Sequence, residues 1–216
     1  MSEDVFVSPR KHGRIAVLIS GRGSNFMKIH DAVRAGRIDA EIGLVFSNRE
    51  DAAGLAIARD RGLETAFINP KPYADKEDYD REILGAIRKR DIDLVCLAGY
   101  MKVLTPMFCR ACRNRVMNIH PALLPSFPGL HVQQKAIDWG VRVSGCTVHF
   151  VSPEVDMGPI ILQAAVPVLP DDTEATLADR ILAEEHRIYP EAVRLYFEGR
   201  LEVRGRRVRI LGSSPG

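Results

Sequence analysis

The chain has 216 residues, 46% of them hydrophobic, which is enough for one well-filled domain and short for two. Its 30 basic and 28 acidic residues give a formal net charge of +2, so it lacks a sustained field for holding a nucleic-acid backbone, and small-molecule partners are favoured. Because no apolar run reaches the ~18 residues of a membrane span, and the start lacks the basic-then-apolar order of a secretory signal, we expect a cytoplasmic protein without membrane contact.

The first half of the chain alternates between strands and helices. Residues 1–13 are polar and without periodicity, and they are predicted to form a disordered leader. A continuous apolar run is typical of a strand buried on both faces of a parallel sheet. Such strands are predicted at 15–19, 42–46, 65–68 and 93–98, and helices at 25–35, 52–61 and 75–90. This alternation indicates βαβ units, hence a single α/β domain with an open, mostly parallel twisted sheet flanked by helices.

The second half has a different pattern. A proline-rich passage at 118–128 precedes two β-rich runs at 145–151 and 159–168. A long C-terminal helix is predicted over 174–198, with a kink or break at the Tyr189–Pro190 step. Residues 201–211 alternate apolar and basic residues, which suits a small surface hairpin. We expect the domain to cover 14–203 and a basic surface tail to cover 204–216.

A glycine-rich loop follows the first predicted strand. Gly21 to Asn25 place flexible backbone at a helix N-terminus, where free N–H groups and the helix dipole favour a phosphate. Phe26 stands where a dinucleotide fingerprint requires its third glycine, so a monophosphate is favoured over a dinucleotide. The alternative is a plain glycine turn with Ser24 as the helix cap.

Asn118, His120 and Asp156 are the candidate catalytic residues. Two positions apart on an extended segment, Asn118 and His120 point the same way. A carboxamide can donate to a developing oxyanion, a histidine can move a proton, and a nearby carboxylate can orient the ring. Taken singly, each is more simply a structural polar group. His149 is harder to dismiss than the other histidines, because an alternating strand would aim it at the same cleft.

Cys96, Cys109, Cys112 and Cys146 lack the spacing of a disulfide framework and are predicted to be reduced thiols. Cys109 and Cys112 do have zinc or redox spacing. A metal site needs a second ligand pair, and none is evident near them, so we expect no metal.

An ordered series of segments within residues 15–203 resembles the phosphoribosylglycinamide formyltransferase family of purine synthesis. These segments are 19–25, 46–48, 97–101, 118–125, 128–131, 148–151, 156–161 and 185–190. The resemblance implies a Rossmann-like formyltransferase fold. It also implies transfer of the formyl group from the co-substrate 10-formyltetrahydrofolate to the glycinamide amine of 5-phosphoribosylglycinamide, through a tetrahedral intermediate and without a metal.

The resemblance also implies roles for individual residues. Asn118 and His120 would stabilise the oxyanion, and Asp156 would support His120 and shuttle protons. The substrate-binding residues would be Gly23, Ser24, Asn25 and Glu185. The folate-binding residues would be Lys76, Met101, Lys102, Val103 and Leu104, together with Asn118 and Asp156. Some members of the family have an arginine at the position of Lys76. A lysine keeps the positive charge but lacks the planar guanidinium with its paired donors. Arg22 and Met157 replace smaller residues common in the family.

Three alternatives remain beside this interpretation. Methionyl-tRNA formyltransferase shares the Asn-x-His and Asp pattern but resembles a longer protein with a C-terminal domain for tRNA. Formyltetrahydrofolate deformylase resembles a chain with an additional N-terminal regulatory domain. A non-catalytic phosphate- or folate-binding module would be indicated by loss of Asn118, His120 or Asp156, and all three are present.

Overall fold

The computed structural model describes residues 5, 6 and 10–212, which contain ten strands and six helices. The strands are β1 (Val5–Phe6), β2 (Gly13–Ile19), β3 (Ala40–Ser47), β4 (Thr65–Phe67), β5 (Leu94–Leu97), β6 (Val116–His120), β7 (Val143–Phe150), β8 (Ile160–Pro167), β9 (Leu201–Arg204) and β10 (Arg207–Ile210). The helices are α1 (Ser24–Arg34), α2 (Ala53–Asp60), α3 (Lys76–Lys89), α4 (Pro106–Ala111), α5 (Val132–Asp138) and α6 (Glu174–Phe197). No helix in this described part is long and apolar enough to cross a membrane.

All ten strands belong to one sheet, in the order β1-β9-β10-β8-β7-β6-β5-β2-β3-β4. The strands from β6 to β4 in this order run parallel to one another. Every residue from Ile15 to Ile19 is fully buried, as expected for a strand covered by helices on both faces. The α/β sheet flanked by helices is therefore confirmed, together with the long C-terminal helix.

The other half of the sheet is mixed. β7 runs antiparallel to both β6 and β8, and β10 pairs parallel with β8 and antiparallel with β9. The hairpin predicted over 201–211 is present, but its pairing with β8 makes it part of the main sheet. The boundary placed between 203 and 204 therefore falls inside a paired hairpin, because the extended edge of β8 offers its backbone groups to β10.

The leader contains paired structure, so its prediction as disordered is wrong where the chain is described. β1 pairs antiparallel with β9, and β2 begins at Gly13. The Arg10 guanidinium donates to Asp93 Oδ1 at 2.9 Å, next to the start of β5. The edge of β9 gives an extended segment a partner that composition alone does not reveal. The rest of the leader, 1–4 and 7–9, and the end of the tail, 213–216, lie outside the described residues.

α6 runs continuously through Pro190, so the predicted break is wrong. Proline removes one helical hydrogen bond and normally disrupts a helix interior. Here the residues on both sides of it are buried against the core, among them Ile188, Tyr189, Ala192 and Val193. Packing of both halves of the helix against the sheet offsets the lost hydrogen bond.

Candidate active site

A cleft of about 350 Å³ opens at the carboxyl ends of the parallel strands. Leu18 of β2 pairs with Leu97 of β5, and Leu97 pairs with Asn118 of β6, so the three strands end side by side. The cleft is lined by parts of 99–104, 118–121, 129–133 and 151–156, and by His149. Ligands of open α/β sheets lie at this edge. The cleft thus brings the 99–104 loop together with Asn118 and His120.

Asn118 and His149 are direct cross-strand neighbours in the antiparallel pair β6–β7. Residues directly opposite one another share a face of the sheet, so both side chains reach the cleft. Asn118 Nδ2 lies 3.2 Å from His149 Nε2. A carboxamide nitrogen has two protons, so one can be given to His149 while the other remains for a ligand.

The hydrogen bonds of His149 define its tautomer. Its Nδ1 lies 2.9 Å from the carbonyl oxygen of Phe150, which can only accept, so Nδ1 holds the proton and Nε2 accepts from Asn118. Burial lowers the pKa of His149, and the nearby carboxylate of Asp156 only partly opposes this effect. A neutral His149 therefore fixes the orientation of the Asn118 carboxamide.

His120 is placed between two acceptors. Its Nε2 lies 2.9 Å from the carbonyl oxygen of Phe127, and its Nδ1 lies 3.4 Å from Asp156 Oδ2. A neutral imidazole has one N–H and can satisfy only one of them, whereas an imidazolium satisfies both. The Asp156 carboxylate thus lies next to the ring nitrogen of His120 that does not contact Phe127. Two buried histidines, His120 and His149, flank the cleft.

Asp156 is held in a strained loop between β7 and β8. Its φ of 55° is left-handed, and its Oδ2 accepts a hydrogen bond of 2.9 Å from Gly129 N. A Cβ on Gly158 would lie 1.7 Å from Phe150 O, so only glycine allows the loop to pack so closely on β7. Phe127, whose carbonyl contacts His120, also has a left-handed φ of 51°. Strain of this kind is maintained where surrounding contacts over-determine the backbone.

The glycine-rich loop leads directly into α1. Gly23 has a φ of 74° and is the N-cap, and Ser24 is the first helical residue. Within the described residues no side chain caps this helix, so the alternative of Ser24 as the cap is not observed. The first N–H groups of a helix have no intrahelical acceptor, and they remain available for an anion.

Asn25 and Glu185 form a buried polar pair beside this loop. Asn25 Nδ2 donates to Glu185 Oε2 at 2.7 Å and joins α1 to α6. Asn25 Oδ1 is buried and has no hydrogen-bond partner among the described residues. Burial raises the pKa of Glu185, and the bond from Asn25 opposes this shift. The pair thus has acceptor groups left over for hydroxyl or amine donors of a ligand.

Ser20 connects this loop with the cleft. Its hydroxyl donates to Asn48 Oδ1 at 2.5 Å and accepts from Met101 N at 2.8 Å. The ends of β2, β3 and β5 are therefore tied together at one buried side chain. The sequence places Ser20 in the loop but gives no sign of this connection.

The candidate folate-binding residues fall into two groups. Met101, Lys102, Val103 and Leu104 line the cleft. Met101 and Val103 are about two-thirds exposed, at 67% and 64%, and form an apolar rim. Lys102 Nζ lies 5.5 Å from the centre of the Tyr79 ring. Lys76 is exposed at the first turn of α3 and does not line the cleft, so its folate contact remains a prediction.

The four cysteines are buried free thiols. Burial raises the pKa of Cys109 to about 11, and its Sγ lies 3.6 Å from the carbonyl oxygen of Ser152. Buried thiols of this kind are unreactive at neutral pH. The Cys109–Cys112 spacing is therefore a property of the α4 packing.

A family model described as formyl transferase matches residues 13–193. The chain belongs to the formyl transferase family. This formyl transferase is 43% identical to phosphoribosylglycinamide formyltransferase of Escherichia coli (strain K12) over 189 residues, which is 88% of this chain and 89% of that protein. It is 47% identical over 192 residues to trifunctional purine biosynthetic protein adenosine-3 of Drosophila melanogaster, covering 88% of this chain but only 14% of that protein.

Solved structures support the same family. The crystal structure of glycinamide ribonucleotide transformylase 1 from Symbiobacterium toebii superposes with a TM-score of 0.91 at 52% identity, covering 94% of this chain and 96% of that chain. The formyl transferase fold expected from the sequence is thereby shown.

His149 is absent from the site residues predicted for this formyl transferase. The alternating pattern of β7 indicates that His149 faces one side of the sheet. Only the antiparallel register with β6 places it opposite Asn118. A single sequence does not determine that register.

Proposed function

We propose that this formyl transferase moves the formyl group of 10-formyltetrahydrofolate to the glycinamide amine of 5-phosphoribosylglycinamide in de novo purine biosynthesis. The observation that carries the proposal is the meeting of Asn118, His120 and Asp156 in one cleft, which the Ser20–Met101 hydrogen bond connects to the loop before the uncapped N-terminus of α1. The name of the E. coli relative, which this chain matches over 89% of its length, supports the same substrate. Location in the cytoplasm remains a prediction.

In the proposed reaction the substrate amine attacks the formyl carbon, and a tetrahedral intermediate forms. Its oxyanion accepts the free Nδ2 proton of Asn118 and shares the Nδ1–H of His120 with Asp156, whose Oδ2 lies 3.4 Å away; donors in this arrangement stabilise such intermediates. The amine loses a proton as its new C–N bond forms. The folate nitrogen gains a proton as its bond to the formyl carbon breaks. Asp156, within 3.4 Å of His120 Nδ1, supports this transfer.

The two substrates are proposed to bind on opposite sides of Asn118, His120 and Asp156. The phosphate would lie at the N–H groups of Gly23, Ser24 and Asn25, and the ribose side would contact Glu185. The folate would occupy the cleft lined by 101–104, with Asn118 and Asp156 at its inner end. The apolar rim suits a flat aromatic ring, and Lys102 and Lys76 suit its carboxylates.

A single assay tests the transfer. Purified protein with 10-formyltetrahydrofolate should release tetrahydrofolate only when 5-phosphoribosylglycinamide is present, with equimolar formylated product. Release without that acceptor would instead indicate a deformylase. Absence of release in both reactions, with folate binding retained, would indicate a binding module.

Glu185→Gln should raise the KM for 5-phosphoribosylglycinamide about tenfold, which corresponds to ~1.4 kcal/mol. Glutamine still accepts from Asn25 but loses the charge that strengthens hydrogen bonds to substrate hydroxyls. The KM for the folate should stay unchanged. Both constants are read from steady-state kinetics.

Glu184→Gln is the matched control, because Glu184 precedes Glu185 on α6 but contacts Arg187 at the surface. Equal changes in the two variants, or a change confined to the folate KM, would argue against the substrate contact of Glu185.

A further inference from the structure

Tyr189 is the largest fully buried side chain among the described residues. Its hydroxyl oxygen lies 3.1 Å from Leu97 O and 3.0 Å from Met117 O. Burial raises the pKa of this hydroxyl well above its ordinary value, so it remains a proton donor. One proton is therefore shared between backbone carbonyls on two adjacent strands, β5 and β6.

Both carbonyls belong to the ends of the two strands at the cleft, and Leu97 is one of the residues that line it. Met117 precedes Asn118 in β6, and Leu97 is the residue of β5 that pairs with Asn118. Two residues after Leu97, Gly99 begins the segment that lines the folate side of the cleft. The hydroxyl of Tyr189 thus joins the last residues of the two strands from which these groups emerge.

The pairing of β5 with β6 ends at this point. The last paired residues are Leu97 and Asn118, so beyond Asn118 the strand β6 is paired only with β7. The position of Asn118 relative to the 99–104 segment depends on contacts at the final residues of β5. Among these contacts, the Tyr189 hydroxyl touches both strands from a third element, α6.

The same face of α6 also reaches the glycine-rich loop. Glu185 lies one helical turn before Tyr189, and residues four apart share a helix face. Its carboxylate accepts the hydrogen bond from Asn25 of α1. α6 therefore contacts both the ends of β5 and β6 and the proposed phosphate loop through two buried polar groups.

We propose that Tyr189 is a positioning residue for the formyl transfer, whose hydroxyl fixes the carboxyl ends of β5 and β6 and thereby the place of the Asn118 carboxamide. This inference rests on the proposed function for its kinetic consequence. An oxyanion donor acts only at the correct distance, and a displacement of ~1 Å costs about 10²-fold in rate. Loss of one shared hydrogen bond should permit a smaller displacement.

Tyr196 provides a matched control on the same helix. It is also buried, with 2% exposure, and its hydroxyl lies 3.0 Å from Asp93 O. Asp93 comes directly before β5, so this hydroxyl holds the amino end of that strand. Neither residue lines the cleft. Tyr189→Phe and Tyr196→Phe therefore remove the same group from opposite ends of one strand.

The experiment compares these two variants with the wild type. Tyr189→Phe should lower kcat about tenfold with little change in either KM. Tyr196→Phe should keep kcat close to the wild-type value, although both variants lose a buried hydrogen bond and a similar amount of thermal stability. Backbone amide hydrogen exchange should increase at 97–101 and 117–120 in Tyr189→Phe, and it should stay unchanged there in Tyr196→Phe.

Equal kcat values for the two variants, or equal exchange at 97–101 and 117–120, would overturn the positioning role. Hydrogen exchange does not depend on turnover. If the wild type transferred no formyl group, the proposed function would fail, and the exchange comparison would still decide whether Tyr189 holds the strand ends.

Discussion

Asp156→Asn should lower kcat by on the order of 10³ while the KM for 5-phosphoribosylglycinamide changes little. Asparagine keeps the shape of the side chain and a carbonyl oxygen that can accept from Gly129 N. It has no charge, so it cannot take up a proton beside His120 as the carboxylate can. The proposed phosphate loop and Glu185 are untouched, which is why substrate affinity should be retained.

The measurement is steady-state kinetics over a range of pH, with Glu154→Gln as the control. Glu154 lies two positions earlier in the same loop, is exposed and does not line the cleft. The control removes one carboxylate from the loop without touching His120 or His149, and its kcat should match the wild type. A kcat for Asp156→Asn within tenfold of wild type would remove Asp156 from the proton transfer.

The parallel half of the fold is predictable because its signals are local. A fully buried strand has an unbroken apolar run in the sequence, and the helices between such strands have amphipathic patterns of ordinary length.

The structure of the leader, the tail and α5 is not marked by such local signals. β1 depends on an edge supplied by β9, almost 200 residues away in the chain. α5 begins at Val132, after the N-cap His131, which has a left-handed φ of 55° and makes no side-chain cap within the described residues, so no sequence signal marks the start of this helix.

In the candidate site, too, some residues are predictable from local patterns and others are not. Asn118 and His120 are predictable as a pair because alternation along a strand is a local rule. His149, Ser20 and Tyr189 act through partners 31, 81 and 92 positions away, and such pairings follow from register rather than from any motif. The role of Lys76 is expected only from the family resemblance. Its side chain does not line the cleft, so its folate contact stays a prediction.

Asn118→Ala should lower kcat by about 10²–10³, the usual effect of removing one oxyanion donor. Asn118→Asp should lower kcat further, although aspartate matches asparagine in shape. A carboxylate has no proton to give to the intermediate, and its charge repels the oxyanion. It also adds a second negative charge to a cleft that already contains Asp156.

The order of the two Asn118 variants separates a catalytic role from a structural one. If the carboxamide only filled space and bonded to His149, the isosteric aspartate would preserve more activity than alanine. If it stabilises developing negative charge, alanine must be the more active variant. The comparison is made on kcat, with thermal unfolding of both variants measured to exclude unequal folding. A higher kcat for Asn118→Asp than for Asn118→Ala would contradict the oxyanion role of Asn118 and leave His120 as the remaining donor.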